Sequence, residues 1–251
     1  MNISIAPEQL THIGSLGISN SFVMIWLVAI FLIVVAQLIS RKVSLVPKLA
    51  QNGVEMAVES LLDMMKGVLG DEKSALKYFP FIATIFTVIL ASNWLGLVPG
   101  VGSIGFFEHA VGAVAGATST FVPYLRSPSS DLNFTLGLAL MTIITINIMG
   151  IRALGLKVSI KRYLNFSSPI NFFIGILELI GEFAKIISLS FRLFGNVFAG
   201  EVLLIIIGFL VPYLVPVPFM ALELFAGFIQ ALVFSTLTLV FLSLLVEKPH
   251  H

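Results

Sequence analysis

The chain has 251 residues, 58% of them hydrophobic and only 11% charged, with a formal net charge of +1. So little charge excludes a soluble globular domain, which carries about 25% charged residues, and the near-neutral balance argues against a nucleic-acid partner. The lack of any cysteine excludes disulfides, thiolate metal sites and thiol nucleophiles.

Residues 1–21 contain no Lys or Arg. They lack the basic start of a signal peptide and the Arg-rich character of a transit peptide, so insertion is expected to rely on the first span itself. That span is the uncharged run 22–39, stopped by Ser40, Arg41 and Lys42. Residues 45–69 change to mixed polarity. Val54, Val58, Leu61, Leu62, Met65 and Leu69 recur at helical spacing opposite Glu55, Glu59, Asp63 and Lys66, which predicts an amphipathic helix lying in the membrane interface. Residues 79–98 form the second span, with Asn93 near its end and Gly96, Pro99, Gly100 and Gly102 closing it. A Gly- and Pro-rich connection follows over 99–131, with a short apolar turn at 110–117. The third span is 132–150, and a basic loop over 152–165 leads into a long apolar hairpin, 169–246.

The first limb of that hairpin runs between Pro169 and Pro212 without a turn cluster. As a single helix it would be roughly 63 Å long, about twice the roughly 30 Å of bilayer hydrocarbon, so it either tilts and curves or breaks near Gly195 and Gly200; the absence of an internal Pro favours the tilted helix. After Pro212, Pro216 and Pro218 the second limb occupies 219–246. The expected fold is one all-α, polytopic membrane domain over 1–251: about five crossings, an interfacial amphipathic helix and a long tilted C-terminal hairpin. Lys and Arg number six in 40–78, four in 151–166, one in 99–131 and none in 1–21. Cytoplasmic loops are enriched in these residues, so the N-terminus is expected outside and the C-terminus inside.

Inside the hairpin, the stretch 178–201 carries ionisable and amide side chains through otherwise apolar sequence. At about 100° per residue, Glu178, Glu182, Lys185, Arg192 and Asn196 fall within roughly 80° of one another, and Glu201 points to the opposite side. An Arg at the centre of a membrane helix costs about 2.5–3.5 kcal/mol on insertion scales, which makes Arg192 a functional-site candidate. Its neighbours one turn away are Ser188, Leu189, Gly195 and Asn196, so no local carboxylate reaches it. An unpaired Arg192 implies an anion from outside this helix. On the last limb Glu223 and Gln230 share a face; packed on the first limb, Gln230 would hold Arg192 by a hydrogen bond and Glu223 would approach Glu201. Two carboxylates meeting in a membrane read better as a proton-accepting site, because repulsion and lost hydration favour keeping a proton between them, than as polar contacts that merely glue two helices. Glu178, Glu182 and Lys185 either pair with one another or line a water-filled path, and both readings stay open. Asn93, Asp131 and Asn133 lie near the outer ends of spans, where interfacial solvation accounts for them. The four histidines are scattered in loops, and no metal site, cofactor site or catalytic motif is expected.

The segment Ser188 to Glu201, SLSFRLFGNVFAGE, closely resembles the signature of the subunit a family of F-type ATP synthases. The blocks NWLGLVP (Asn93 to Pro99) and YLRSPSSDLNFTLGLAL (Tyr124 to Leu140), with the last helix around Gln230, extend that resemblance over 45–246. The resemblance implies a non-catalytic stator subunit that carries protons to and from carboxylates on a rotor ring of proteolipid c subunits, the ATP chemistry residing in other subunits. Arg192 would be the essential Arg that separates two offset half-channels. Asn196 and Gln230 would lie beside it, and Glu201 and Glu223 in the outer half-channel, where some members carry His at the position of Glu223. Glu178, Glu182, Lys185 and Ser188 would serve the inner half-channel, and Asn93, Asp131 and Asn133 the outer one. Implied partners are the c ring, peripheral-stalk b subunits, the remaining synthase subunits and the lipid bilayer. The implied location is a bacterial inner membrane, ahead of an organelle inner membrane. A stand-alone ion-coupled secondary transporter with Arg192 as anionic-substrate site is the rival reading. An intramembrane enzyme lacks its constellation, and a purely structural scaffold has no use for Arg192.

Overall fold

The computed structural model describes residues 8–13, 16–41, 49–108, 120–163, 168–211 and 214–246. Among them are seven α-helices: α1 (Asn20–Arg41), α2 (Leu49–Leu69), α3 (Glu72–Gly96), α4 (Leu132–Leu154), α5 (Leu156–Tyr163), α6 (Pro169–Leu210) and α7 (Pro216–Val246). All but α2 and α5 are long and apolar enough to cross a membrane, and the chain is an all-α, multi-pass membrane protein. The apolar turn expected at 110–117 lies outside the described residues.

Short-range chemistry sets the helix ends. Ser19 Oγ accepts from Phe22 N at 3.2 Å, an N-cap for α1. At Gly70 the backbone turns left-handed, φ 75°, which ends α2 without a Cβ penalty. The next residue, Asp71, caps α3 by accepting from Ser74 N at 2.5 Å. Thus α3 starts at Glu72, ahead of the expected 79, and runs through Pro80; its charged first turns hide it from a hydropathy reading. Pro169 and Pro216 open α6 and α7, positions where a missing N–H costs nothing. α6 is continuous over 42 residues, as expected from the absence of an internal proline. The basic loop after α4 contains α5, which its charge concealed. Two small antiparallel ribbons were also not foreseen: β1 (Gln9–Ile13) pairs with β2 (Leu16–Ser19), and, beyond β3 (Pro99–Gly102), β4 (Gly105–Glu108) pairs with β5 (Thr120–Pro123).

The fold divides into two compact units, each assembled from separate chain segments. The first comprises Met1–Lys42, Thr87–Phe134 and Leu193–Ala231. Its buried apolar residues include Met24, Val28, Ile89, Val122, Leu193 and Val197. In it, α1 leaves Trp26, Ile30, Ile33 and Leu38 exposed, the surface expected of a helix whose solvent is lipid. Asp131 fastens this unit: Oδ1 accepts from Asn133 N at 2.9 Å, capping α4, while Oδ2 accepts from Ser21 Oγ of α1 at 2.5 Å. Asp131 is thus engaged structurally, while Asn133 is exposed. Loss of such a cap costs about 0.5–2 kcal/mol, so Asp131→Ala is expected to lower the thermal aggregation temperature of the purified protein. An unchanged temperature would show that the cap contributes nothing to stability.

The second unit comprises Val43–Phe86, Thr135–Arg192 and Leu232–His251. Ile82, Ile143, Ile146, Leu189, Phe234, Leu239 and Leu242 fill its interior. The C-terminal half of α2 packs here through Met65, and Thr236 Oγ1 of α7 lies 3.4 Å from Met64 Sδ.

Candidate functional site

Each unit contains a polar cluster built on α6. In the second unit the cluster starts from Glu182, which is buried although ionisable. A buried carboxylate is tolerated when paired and hydrogen-bonded, and both oxygens are engaged: Lys185 Nζ lies 2.7 Å from Oε1, and Asn147 Nδ2 of α4 donates to Oε2 at 3.3 Å. The Asn147 side-chain oxygen in turn accepts from the Tyr163 hydroxyl at 2.9 Å. Burial first, and then the negative charge of Glu182, pushes the Tyr163 phenol up to about 12, so it stays a donor at physiological pH. One residue before it, Arg162 pairs with Glu178 of α6 and donates to the Leu244 carbonyl of α7 at 3.2 Å. Lys185 also lies 5.0 Å from the Phe241 ring, a cation over an aromatic face. Two carboxylates and three hydrogen-bonding or cationic groups of α4 and α5 therefore meet on one side of α6.

Arg192 stands apart from that network. Its guanidinium donates to Ser188 Oγ at 3.3 Å, and among the described residues it forms no ion pair. It is exposed, as are Ala184 and Ser188 on the same face. The predicted polar stripe thus does not share one environment: Glu182, at one edge, turns inward against α4, and Arg192, at the other, turns outward. The three acids of α6 have other cations: Glu178 has Arg162, Glu182 has Lys185, and Glu201 has Arg126.

The cluster of the first unit gathers at Glu201. Arg126 Nε lies 3.6 Å from Glu201 Oε1 and 3.2 Å from Ser130 Oγ, and its guanidinium carbon is 5.9 Å from the Phe198 ring centroid. Glu223 of α7 packs its carboxyl against Gly200, next to Glu201, so closely that a Cβ there would displace it. Asn93 and Trp94, near the end of α3, donate to the α7 carbonyls of Gly227 and Leu224, each at 3.0 Å. Five buried polar atoms of this unit lack a hydrogen-bond partner among the described residues: Ser92 Oγ, Asn93 Oδ1, Ser129 Oγ, Glu201 Oε2 and Gln230 Nε2. Native interiors leave few such groups unpaired. Their concentration in this unit marks a polar interior.

Of the sequence-derived candidates, the structure brings Glu178, Glu182 and Lys185 together in one unit, and Asn93, Glu201, Glu223 and Gln230 into the other. Asn196 is partly exposed on α6. Sequence reasoning missed Arg126, Asn147, Arg162 and Tyr163 as members of these clusters. A signal existed for Arg126, the sole Lys or Arg in 99–131. For Arg162 and Tyr163 the surrounding basic residues suggested only a solvated loop.

Comparison with known proteins gives concordant results. The family model described as ATP synthase A chain matches residues 22–243. The protein named ATP synthase subunit a from Campylobacter jejuni strain 81-176 is 34% identical over 234 residues, covering 91% of this chain and 92% of the relative. Proteins of the same name from Moorella thermoacetica and Syntrophobacter fumaroxidans are 32% and 33% identical, covering 95% and 98% of this chain and 96% and 92% of their own lengths.

Proposed function

This chain belongs to the ATP synthase A chain family, and on that premise we propose that it is the stator subunit that couples proton flow to rotation, with Arg192 as the charge separating two half-channels. The observation that carries this reading is the state of Arg192. It is an exposed cation on an apolar helix, and the three acids of α6 are each held by a different cation. A guanidinium left without a mate in hydrocarbon needs an anion from another chain, and a rotor ring whose subunits carry carboxylates would supply a succession of them.

The cluster of Glu178, Glu182, Lys185, Asn147 and Tyr163 supports a path on the inner, cytoplasmic side. The cluster of Asn93, Glu201, Glu223 and Gln230, with its unpartnered polar atoms, supports a path on the outer side. A carboxylate facing Arg192 is favoured in its ionised form, but it cannot carry that charge into lipid. It must take a proton from one path before leaving and release one to the other on arrival. Each elementary charge moved across 100 mV is worth about 2.3 kcal/mol, which offset paths convert into rotation. Gly181, Ala184 and Ser188 precede Arg192 at three- and four-residue spacing, and small residues let a second helix approach closely. On this reading the partners are the proteolipid c ring, the peripheral-stalk b subunits and the other synthase subunits. The protein sits in a bacterial inner membrane with its N-terminus outside and C-terminus in the cytoplasm.

Since the chain has no cysteine, single cysteines at Ala184, Ser188 or Phe191 in the assembled complex test the facing partner directly. Oxidation is expected to crosslink at least one of them to a cysteine on the outer helix of the proteolipid ring. Failure at all three positions, in complexes that remain assembled, would remove the ring from this face of α6.

A further inference from the structure

Arg126 lies in the connection between α3 and α4, far from Glu201 in sequence, yet it is buried and held against it. Its Nε is shared between Ser130 Oγ at 3.2 Å and Glu201 Oε1 at 3.6 Å, with the Phe198 ring beside the guanidinium. A guanidinium stays protonated in proteins, so burying Arg126 to 8% exposure places a permanent charge where desolvation is costly. Ser130 and Phe198 lend it a hydrogen bond and a ring face, but neither neutralises it. Glu201 supplies an opposing charge. The contact is made through Nε and Oε1. Glu201 Oε2 is buried and has no partner among the described residues. The other ionisable group packed beside this turn of α6 is Glu223, whose carboxyl rests against Gly200.

We infer that Arg126 is a positioning residue for Glu201: by holding Oε1 it fixes the carboxylate in the orientation that leaves Oε2 as the oxygen that takes and gives up the proton. The inference rests on the reading of Glu201 as a proton carrier in the outer path. The step it serves is a simple transfer. An O–H bond forms at Oε2 as one breaks on a hydronium or water arriving from the outer side, and the same bond then breaks as the proton passes to the next acceptor. Without the Arg126 contact the carboxyl rotates among several orientations, of which few align Oε2 with donor and acceptor. Misplacing a reacting group by about 1 Å can slow a reaction about a hundredfold.

The test uses the whole synthase reconstituted in liposomes, with ATP synthesis driven by an imposed proton gradient and potential. Assembly is read as the amount of this chain retained with the proteolipid ring. Arg126→Met preserves an apolar stem but removes the charge; it is expected to assemble normally and to synthesise ATP about tenfold to a hundredfold more slowly. Arg126→Lys restores a cation of similar reach, and unlike Lys at 192 it has the Glu201 carboxylate beside it to favour the protonated ammonium, so it is expected to recover synthesis to within about threefold of the parent protein. A merely structural tether predicts loss of assembly in step with loss of rate, and that result overturns the proposal. So does Arg126→Met at the parental rate, or Arg126→Lys as slow as Arg126→Met. Glu201→Gln in the same assay separates the two layers. Parental synthesis there sinks the proton-carrier reading, whereas a dead Glu201→Gln beside a normal Arg126→Met sinks only the role of Arg126.

Discussion

Arg192→Lys is expected to abolish proton-driven ATP synthesis while leaving the complex assembled. Lysine keeps a positive charge of similar reach, so the loss isolates what guanidinium adds. An ammonium in apolar surroundings gives up its proton readily, whereas the guanidinium does not, and lysine lacks the planar fork that matches a carboxylate. On the proposed reading, a stator charge that can neutralise no longer compels a passing acid to ionise, and it no longer bars protons from slipping between the two paths. The rate should fall by about a hundredfold or more, the scale on which loss of one preorganised charge-stabilising group slows a reaction. Passive proton leak through the membrane sector should rise at the same time. Parental coupling in this variant would refute the assignment, since no other cation of α6 is left without an acid: Lys185 already lies 2.7 Å from Glu182.

The second large effect is expected at Glu201. Glu201→Gln keeps the shape of the side chain and an oxygen for Arg126 to hold, but the amide cannot accept and return a proton near neutral pH. Synthesis should fall by about a hundredfold, within the range contributed by a positioned proton-transfer group. ATP hydrolysis by the same complex, once uncoupled by detergent, should persist because the catalytic subunits are untouched. Glu201→Asp retains the chemistry but draws the carboxyl back from Arg126, so its rate should lie between those of the parent and Glu201→Gln. Synthesis by Glu201→Gln at the parental rate would show that protons reach the rotor by a route avoiding Glu201.

Much of the fold was legible in the sequence because a bilayer makes the hydrophobic pattern unusually explicit. The runs 22–39 and 132–150 became α1 and α4, and the uninterrupted first limb of the hairpin became the continuous α6. Where charge lies within a helix the same signal fails. The first turns of α3 carry Glu72, Lys73 and Lys77, and α5 carries Lys157, Lys161 and Arg162 in eight residues, so both read as loop. The cap at Asp71 and the glycine before it were the available cues for α3. Those cues are local chemistry, and hydropathy averaging removes them.

The candidate site divides along a similar line. Arg192, Glu182, Glu201, Glu223 and Gln230 were singled out by the sequence alone, because a costly polar residue inside an apolar run declares itself wherever the run is recognised. Sequence spacing also established that α6 itself offers Arg192 no carboxylate one turn away. Which cation answers which acid was decided only by tertiary structure. Arg162 reaches Glu178, Asn147 and Tyr163 reach Glu182 in a chain of hydrogen bonds, and Arg126 reaches Glu201 from another element. The physical reason is range: desolvation cost belongs to a residue and its local run, so it can be read along the chain, whereas an ion pair belongs to two atoms that meet only when separate helices pack.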